Sequence, residues 1–565
     1  MLSKKMDFDL YKYGFFVHYV FRISRFSDGR VPETVDELVN SFDVEGFADQ
    51  IASMGVQYFI FTAWHANTIP LYPSAVNEKW RPGENKSSRR DLLGEIIDAI
   101  NARGIKMILY THPRDGHDFD ETDKFRTGWN DNTESVEAAK FDYDKWNTYV
   151  CELYQELADR YAKKLYGFYT DGTGPYSKKN FKYEQNVQVV NYLKIRDIMK
   201  KANPSIIMIQ NFFGYIFSDD YAMPEAYFWY QNKYMDQIEK WPAAEKSLAT
   251  CCFVGNWWPP AGERGADTTR MKPADIAKLT IFEASCSIGG GMCWAGGPYC
   301  EGNVWPVGVI EGMSEVGRIL RTPCYEESAL NAAPSKSYPT ISGDTLEALD
   351  HKFFTSSYDQ RYEYLHIMKA DGASVTVDIP AAQDLAKLSA PVSMTDGVKV
   401  VSFAENNGGY ALTLEGDFSD VDTVVRFERI NADDAPVFEW VNDTDKRIRY
   451  EGTWGYTFLQ EKEETHKTVG TFESDVHETS ERGASFFFAF DGSFIEIYGD
   501  TRPDAGKALV FIDGVEMAEI DENANDEKVR QLLFRSPDLH GGTHTLYVVS
   551  TEEKNFEFDA LRVIK

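Results

Sequence analysis

The sequence predicts a (β/α)8 TIM-like barrel followed by two β-sandwich domains. Short apolar runs alternate with amphipathic segments in the first part, which is typical of parallel strands covered by helices. Further along, period-two runs separated by glycine turns indicate antiparallel sheets. A polar stretch without periodicity, "INADDAPVFEWVNDTDK", then precedes a second all-β region. We therefore place the domains at residues 1–335, 336–432 and 433–565.

The first domain repeats one pattern. Predicted strands are "KYGFFVHYV", "VQYFIFTAW", "IKMILYTH", "LYGFYTDG" and "SIIMIQNFF", each apolar on both faces. Between them, segments such as "RRDLLGEIIDAINARG" repeat apolar residues every three or four positions and are predicted helices. This alternation fits a closed barrel better than an open doubly wound sheet, and no GxGxxG motif follows the first strand.

The remaining sequence alternates apolar and polar residues. The second domain contains "RYEYLHIM", "ASVTVDI", "KVVSF" and "GYALTL", and the third contains "ASFFFAF", "FIEIYG", "KALVFIDG" and "HTLYVVS". Glycine turns such as "MTDG" and "NNGG" separate several of these runs. Both regions are predicted antiparallel β-sandwiches.

Charge limits the partners. The 565-residue chain has 59 Lys and Arg against 89 Asp and Glu, a net charge of −30. Such a charge repels phosphate backbones and anionic lipid, so nucleic acid is not an expected partner. No apolar run approaches the ~18 residues of a membrane span, and no secretory signal opens the sequence. We expect a soluble, cytoplasmic protein; a secreted protein trimmed of its leader is the alternative, and no oligomeric state is predicted.

Asp171 is the first candidate catalytic residue. It follows the predicted strand "LYGFYT" directly, and the glycines at 172 and 174 let the backbone bend close to a ligand. In a barrel, chemistry gathers at the carboxyl ends of the strands. An Asp that merely caps a turn is the competing interpretation, because Asp-Gly is a common turn signal.

Glu225 is the second candidate. Hydrolysis of a glycosidic bond needs two carboxyl groups, one to attack or activate water and one to protonate the leaving oxygen. Glu225 lies on the loop after the next predicted strand, in "SDDYAMPEAYFWY", and its aromatic surroundings would raise its pKa. Asp219 and Asp220 are competitors on the same loop.

Other strand ends carry aromatic and imidazole groups that suit a sugar. Aromatic faces stack on the C–H side of a pyranose, and His or Asn side chains bind hydroxyls. The candidate substrate-binding residues are His18, Trp64, His65, Asn67, Tyr169 and Trp257.

Several of these segments resemble glycoside hydrolase family 29, the α-L-fucosidases. "KYGFFVHYV" is similar to the family's first strand, and "FDVEGFADQIASMGVQYFIFTAWH" to its second strand with the preceding helix. "GFYTDG" stands where the family has Trp-Phe-Asp-Gly, and "CSIGGGMCWAGGP" resembles the stretch that ends its catalytic domain. The likeness covers about residues 8–430. The last domain resembles jelly-roll modules, of carbohydrate-binding type, that are appended to glycoside hydrolases.

The resemblance implies an exo-acting, retaining α-L-fucosidase that needs no metal and no organic cofactor. Asp171 takes the place of the nucleophile, and Glu225 that of the loop glutamate, 14 residues after Asn211. His18 and His65 match two histidines that bind the sugar. Tyr169 stands in place of a tryptophan, and Trp257 resembles the aromatic residue that contacts the C6 methyl group.

Some positions depart from the family. Ala66 replaces the second histidine of a pair, Asn67-Thr68 replaces Asp-Gly, and Phe213 replaces an arginine. Two alternatives therefore stay open. One is a glycosidase of the same fold acting on another hexopyranoside, galacto-configured or decorated. The other is a glycan-binding protein without catalytic activity.

Overall fold

The computed structural model describes residues 11–65, 67–113, 116, 118–129, 142–171, 190–210, 221–223, 249–252, 272–286, 291–335, 337–338, 352–382, 386–430, 438–458, 475–525, 528–537, 539 and 542–564. The chain divides into two compact units. The first lies within residues 1–234, 246–381 and 390–428, and the second within residues 235–245, 382–389 and 429–565. The three-domain division stays a prediction, because one compact unit can contain two domains packed together.

The centre of the first unit is an eight-stranded parallel sheet. Its strands are β1 (Tyr13–Val17), β2 (Tyr58–Trp64), β3 (Lys106–Thr111), β4 (Gly167–Thr170), β5 (Ile207–Gln210), β6 (Tyr221–Ala222), β7 (Ala249–Cys252) and β8 (Met292–Ala295). Their order is β6-β5-β4-β3-β2-β1-β8-β7, so β1 pairs with both β2 and β8. Among the described residues no pairing joins β6 to β7. The parallel sheet predicted from the alternating pattern is confirmed.

Helices connect these strands. They are α1 (Val35–Asn40), α2 (Val44–Ser53), α3 (Ala75–Trp80), α4 (Leu92–Ala102), α5 (Glu121–Thr127), α6 (Tyr143–Tyr161), α7 (Tyr192–Ala202), α8 (Pro273–Cys286) and α9 (Val309–Leu320). Seven of these begin at a Thr, Ser, Asp or Asn whose side chain accepts a hydrogen bond from the first turn. Such a cap satisfies an amide that has no partner within the helix, which fixes where the helix starts.

The two faces of the sheet have different neighbours. Phe59 and Phe61 of β2 pack against Phe47 of α2, so this face lies toward the helices. The opposite face, which we call the inner face, carries a separate apolar cluster that includes Phe16, Tyr58, Ile60, Ile108, Tyr110 and Tyr169. Gly14 belongs to this face too, because a Cβ there would come within 2.2 Å of the Tyr58 ring. Along the regular parts of these strands, side chains therefore alternate between the helices and the inner face.

Antiparallel strands follow the parallel sheet along the chain, and most of their residues belong to the first unit. They are β9 (Ala332–Pro334), β10 (Lys352–Ser357), β11 (Tyr362–Ile367), β12 (Ser374–Ile379), β13 (Lys387–Ser393), β14 (Val398–Asn406), β15 (Gly409–Gly416) and β16 (Thr423–Ile430). They form a five-stranded sheet, β13-β16-β11-β10-β9, and a three-stranded sheet, β12-β15-β14. Phe403 of one sheet contacts Phe427 of the other, and Phe353 packs on Phe282 of α8.

The second unit is built from strands. These are β17 (Phe438–Asn442), β18 (Arg449–Glu451), β19 (Gly455–Phe458), β20 (Asp475–Thr479), β21 (Ser485–Asp491), β22 (Phe494–Thr501), β23 (Lys507–Ile512), β24 (Val515–Asp521), β25 (Lys528–Arg535), β26 (Thr543–Ser550), β27 (Phe556–Phe558) and β28 (Ala560–Ile564). They form sheets of four, five and three strands around one apolar core. This confirms the prediction of antiparallel sheets in the last part of the chain. In the parts of the chain that the structure describes, no helix is both long and apolar enough to cross a bilayer.

Candidate active site

Asp171 stands at the carboxyl end of β4. Its backbone N–H donates to the carbonyl of Thr111 at 2.9 Å, which continues the pairing of β3 with β4 by one residue. Its Oδ2 accepts a hydrogen bond from the hydroxyl of Tyr110. The side chain is half-buried. The carboxylate is therefore held at the edge of the sheet, as the sequence predicted, and is not packed into the core.

Strand alternation explains why this acid faces inward. Tyr169 belongs to the inner cluster, and Asp171 follows it by two residues. On β3 the same spacing joins Ile108, Tyr110 and His112, and on β1 it joins Phe16 to His18. Because the carboxyl ends of neighbouring parallel strands meet at one edge, these polar groups gather above the apolar cluster.

His18 is a neutral, oriented imidazole. Its Nδ1 lies 2.9 Å from Thr62 Oγ1, and that hydroxyl donates its own proton to the Val17 carbonyl at 3.1 Å. Nδ1 therefore carries the ring proton and donates to Thr62, so Nε2 has the lone pair. Burial lowers the pKa of His18 well below its ordinary value, and His65 and His112 lower the pKa further while Asp171 opposes them.

His65 and His112 complete a group of three histidines. The His65 ring lies 5.4 Å from the His18 ring and 5.0 Å from the His112 ring, measured between centroids. It also stacks near Tyr110, at 6.0 Å and an interplanar angle of 17°. His65 was predicted, whereas His112 was not. The sequence signal for His112 was the segment "ILYTH", in which a histidine directly follows a strand, as it does after β1 and β2.

Tyr169 forms the base of this arrangement. Its ring stacks on Tyr110 at 5.4 Å, and its hydroxyl donates to the Met223 carbonyl at 2.9 Å. The side chain is almost completely buried. Tyr169 therefore joins β4 to the residue that follows β6, and its role in sugar binding stays a prediction.

Trp64 packs on the helix side of β2, and its role in sugar binding stays a prediction. The pairing of β2 with β3 shifts register between Thr62 and Trp64, because a β-bulge inserts one residue at Ala63. The bulge moves Trp64 to the helix side, where its ring meets Tyr154 of α6 at 5.6 Å and is 2% exposed. It also turns His65 to the inner face. Simple alternation predicts the opposite arrangement.

Asn67 makes hydrogen bonds within the fold, and its role in sugar binding stays a prediction. Its amide donates to the Phe21 carbonyl at 2.9 Å, and its Oδ1 accepts from the Ile69 N–H at 3.1 Å. Thr68, next in the turn, has a φ of 49°, an unfavourable value for a β-branched residue. Asn77 and Arg81 donate to the Thr68 carbonyl at 2.9 and 2.8 Å and hold the turn in place.

Two predicted residues, Glu225 and Trp257, lie outside the described residues. Their roles stay predictions. Within the described ranges, no three His, Cys, Asp or Glu side chains stand close enough together to hold a metal ion.

The fold and this site define a class: an α/β protein with a parallel sheet whose reactive side chains gather at the carboxyl ends of the strands. The family follows from the sequence. Residues 37–263 match the family model described as Alpha-L-fucosidase. This match covers about two fifths of the chain, and over these residues it confirms the resemblance to the α-L-fucosidases.

Solved α-L-fucosidases have a similar fold. The family 29 enzyme from Bacteroides thetaiotaomicron, solved as a trapped covalent intermediate, matches with a TM-score of 0.54 and 15% identity over 76% of this chain and 95% of that chain. The enzyme from Vibrio sp. strain EJY3 matches with a TM-score of 0.53 and 12% identity over 99% of this chain and 98% of that chain. At these identities the likeness establishes the fold alone.

A curated relative matches over a shorter stretch. It is a Flavonifractor plautii protein named A type blood N-acetyl-alpha-D-galactosamine deacetylase, 31% identical over 115 residues. The match covers 20% of this chain and 14% of the relative, so the chain spans about a seventh of that relative's length.

Proposed function

We propose that the protein is an exo-acting, retaining glycoside hydrolase that removes a terminal α-L-fucosyl residue from glycans. One observation carries the proposal: a carboxylate, Asp171, stands at a strand end and is held by Tyr110, and a group of three histidines lies at the same edge of the sheet. The family match of residues 37–263 supports the same reaction.

In the first step Asp171 acts as the nucleophile. The hydrogen bond from Tyr110 fixes Oδ2, and Oδ1 attacks the anomeric carbon of the sugar. The bond from that carbon to the leaving oxygen breaks as the bond to Oδ1 forms. Glu225, assigned from the sequence, gives its proton to the leaving oxygen.

In the second step water releases the sugar. Glu225, now ionised, takes a proton from water, and the water oxygen attacks the anomeric carbon. The bond to Asp171 breaks, so its carboxylate is regenerated and the configuration is retained. Neither step uses a metal ion or an organic cofactor.

The histidines bind the sugar's hydroxyl groups. Nε2 of His18 carries a lone pair and accepts a hydrogen bond from a sugar O–H, because the Nδ1 proton goes to Thr62. His65 lies beside His18 and binds a neighbouring hydroxyl of the sugar. Trp257 is proposed to contact the apolar edge of the sugar.

The proposal includes finer features of the fold. We place β6 beside β7, which closes the parallel sheet into a (β/α)8 barrel; the strand order, with β1 between β2 and β8, supports closure. We also propose that the second unit is a jelly-roll module of carbohydrate-binding type. The net charge of −30 supports glycans, and not nucleic acids, as partners.

The decisive experiment is a panel of aryl α- and β-glycosides tested with the wild type and with Asp171→Asn. We expect turnover of the α-L-fucoside and a loss of at least about a thousandfold in kcat for the variant. Asp159→Asn, an exposed position on α6, is the matched control. A 2-fluoro-fucosyl fluoride should leave an adduct on Asp171 that mass spectrometry locates.

Other outcomes distinguish the alternatives. Preference for a galacto-configured substrate would keep the mechanism and change the sugar; the partial match to a relative named for a galactosamine substrate is a reason to include such glycosides. Glycan binding without hydrolysis during prolonged incubation would identify a non-catalytic binding protein. Full activity of Asp171→Asn would refute the assigned nucleophile.

A further inference from the structure

His112 is a site residue that the mechanism above leaves without a role. In the pairing of β3 with β4, Tyr110 is opposite Tyr169 and Thr111 is opposite Thr170. The next position on each strand is His112 and Asp171. The hydrogen bond from the Asp171 N–H to the Thr111 carbonyl, 2.9 Å long, shows that this register continues.

Both side chains emerge on the inner face. Each lies two residues beyond a member of the inner cluster, Tyr110 for His112 and Tyr169 for Asp171. Adjacent strands are about 4.8 Å apart, so the imidazole and the carboxylate are neighbours along the edge of the sheet. No other described histidine has this lateral relation to Asp171.

The neighbours of His112 include other polar side chains. Its ring is 5.0 Å from that of His65, at an interplanar angle of 34°, and the residue is 9% exposed. His65 in turn contacts His18 and Tyr110. Three imidazoles around one acid, in a part of the structure where no three ligands could hold a metal, suit the hydroxyl groups of a sugar.

We infer that His112 binds the 2-hydroxyl of the sugar, the hydroxyl on the carbon next to the anomeric carbon, an inference that rests on the proposed function. Asp171 reaches the anomeric carbon, and a group beside Asp171 then meets either the ring oxygen or carbon 2. Of these two, carbon 2 bears the hydroxyl that can both donate and accept. Hydrogen bonds to the 2-hydroxyl strengthen in the transition state of such reactions, so His112 contributes to kcat as well as to binding. The substrate class is glycosides with an unmodified hydroxyl at carbon 2.

The test combines enzyme variants with substrate analogues. The wild type, His112→Ala and His112→Gln are assayed with 4-nitrophenyl α-L-fucoside and its 2-deoxy analogue. For His112→Ala we expect kcat/KM to fall about 10- to 100-fold on the fucoside and less than about threefold on the analogue. His112→Gln should recover part of the loss, because its amide can also donate and accept. His544→Ala, in the second unit, is the control expected to leave both substrates unaffected.

A purely structural role for His112 gives a different result. It predicts an equal loss on both substrates together with a lower melting temperature, and that outcome would overturn the inference. So would an unchanged kcat/KM of His112→Ala on the fucoside.

Calorimetric titration with L-fucose and 2-deoxy-L-fucose measures the contact without hydrolysis. If the wild type prefers L-fucose and His112→Ala does not, the contact holds even when no glycoside is cleaved, and the proposed function fails alone. If the wild type does not discriminate between the two sugars, the inference fails whatever the activity.

Discussion

Two regions of the first unit use buried histidine in different ways. In the antiparallel part, His366 is fully buried: Nδ1 lies 2.7 Å from Asp422 Oδ2 and Nε2 lies 3.0 Å from Thr355 Oγ1. At the carboxyl ends of the parallel strands, His18 shares its surroundings with two more histidines and an acid. The first arrangement joins β10, β11 and the start of β16, whereas the second concentrates groups that suit a ligand. Burial alone therefore does not distinguish the two arrangements, but the number of neighbouring histidines does.

The largest expected effect tests the structural side of this comparison. Asp422 is a fully buried carboxylate that accepts from the Ile367 N–H and lies 2.7 Å from His366 Nδ1; Asp422→Asn removes its charge, and each lost hydrogen bond to a charged group costs about 1.5–3 kcal/mol. Denaturant unfolding followed by tryptophan fluorescence should show this loss, and the fluorescence of the native state should be unchanged. Asp420→Asn, two residues away and exposed, is the control. A difference below about 1 kcal/mol would mean that the pair is not a stabilising element.

The next effect tests the functional side. Tyr110→Phe removes the hydroxyl that donates to Asp171, so the carboxylate loses its fixed orientation. Losing one hydrogen bond to a charged group costs about 1.5–3 kcal/mol, so we expect kcat/KM to fall roughly 10- to 150-fold. The melting temperature should change little compared with Tyr143→Phe, an exposed control at the start of α6. Unchanged kinetics would separate Tyr110 from the reaction.

A third prediction uses pH. The folded protein holds His18 neutral with a pKa well below the ordinary 6.5, so the unfolded chain binds the extra proton first as pH falls. Stability therefore decreases below about pH 6.5, by up to about 1.4 kcal/mol per pH unit. His18→Gln lacks this group, so the unfolding free energy of the wild type minus that of the variant should fall by about 1 kcal/mol from pH 6.5 to 5.5. A difference that does not depend on pH would show that folding leaves the pKa of His18 unchanged.

The smallest effect concerns the turn after His65. Thr68 has a positive φ, which costs a residue with a side chain about 1–3 kcal/mol and costs glycine little. Glycine also lowers the free energy of unfolding by about 0.4–1 kcal/mol, because it gives the unfolded chain more freedom. The relief of strain is the larger effect, so Thr68→Gly should be about 0.5–1 kcal/mol more stable than Thr68→Ala. At an ordinary φ the order is reversed. Thermal unfolding of the two variants measures the difference.

The sequence predicted those parts of the fold and site that depend on local periodicity. Runs apolar on both faces predicted the parallel strands. An acid or histidine directly after such a run placed His18, His65 and Asp171 at the carboxyl ends of these strands. The antiparallel sheets followed from period-two runs and glycine turns. These features need only the geometry of one strand, which the order of residues determines.

What escaped prediction depends on pairing between strands. The bulge at Ala63 is visible only in the register of β2 against β3, and it places Trp64 on the helix side and His65 on the inner face. His112 gained significance only once β3 was beside β4. The sequence also does not show that the Asn67 side chain bonds to the backbone of Phe21 and Ile69, because these contacts form only in the folded chain. The contact between His366 and Asp422 joins residues 56 positions apart, which no local pattern indicates.

The bulge in β2 has a wider consequence. A regular strand with the same residues would place the indole of Trp64 on the inner face and the imidazole of His65 toward the helices. The extra residue exchanges a flat stacking surface for a hydrogen-bonding group without changing either side chain. Inserting or deleting one residue in this strand thus changes which side chain reaches the inner face, without any substitution there.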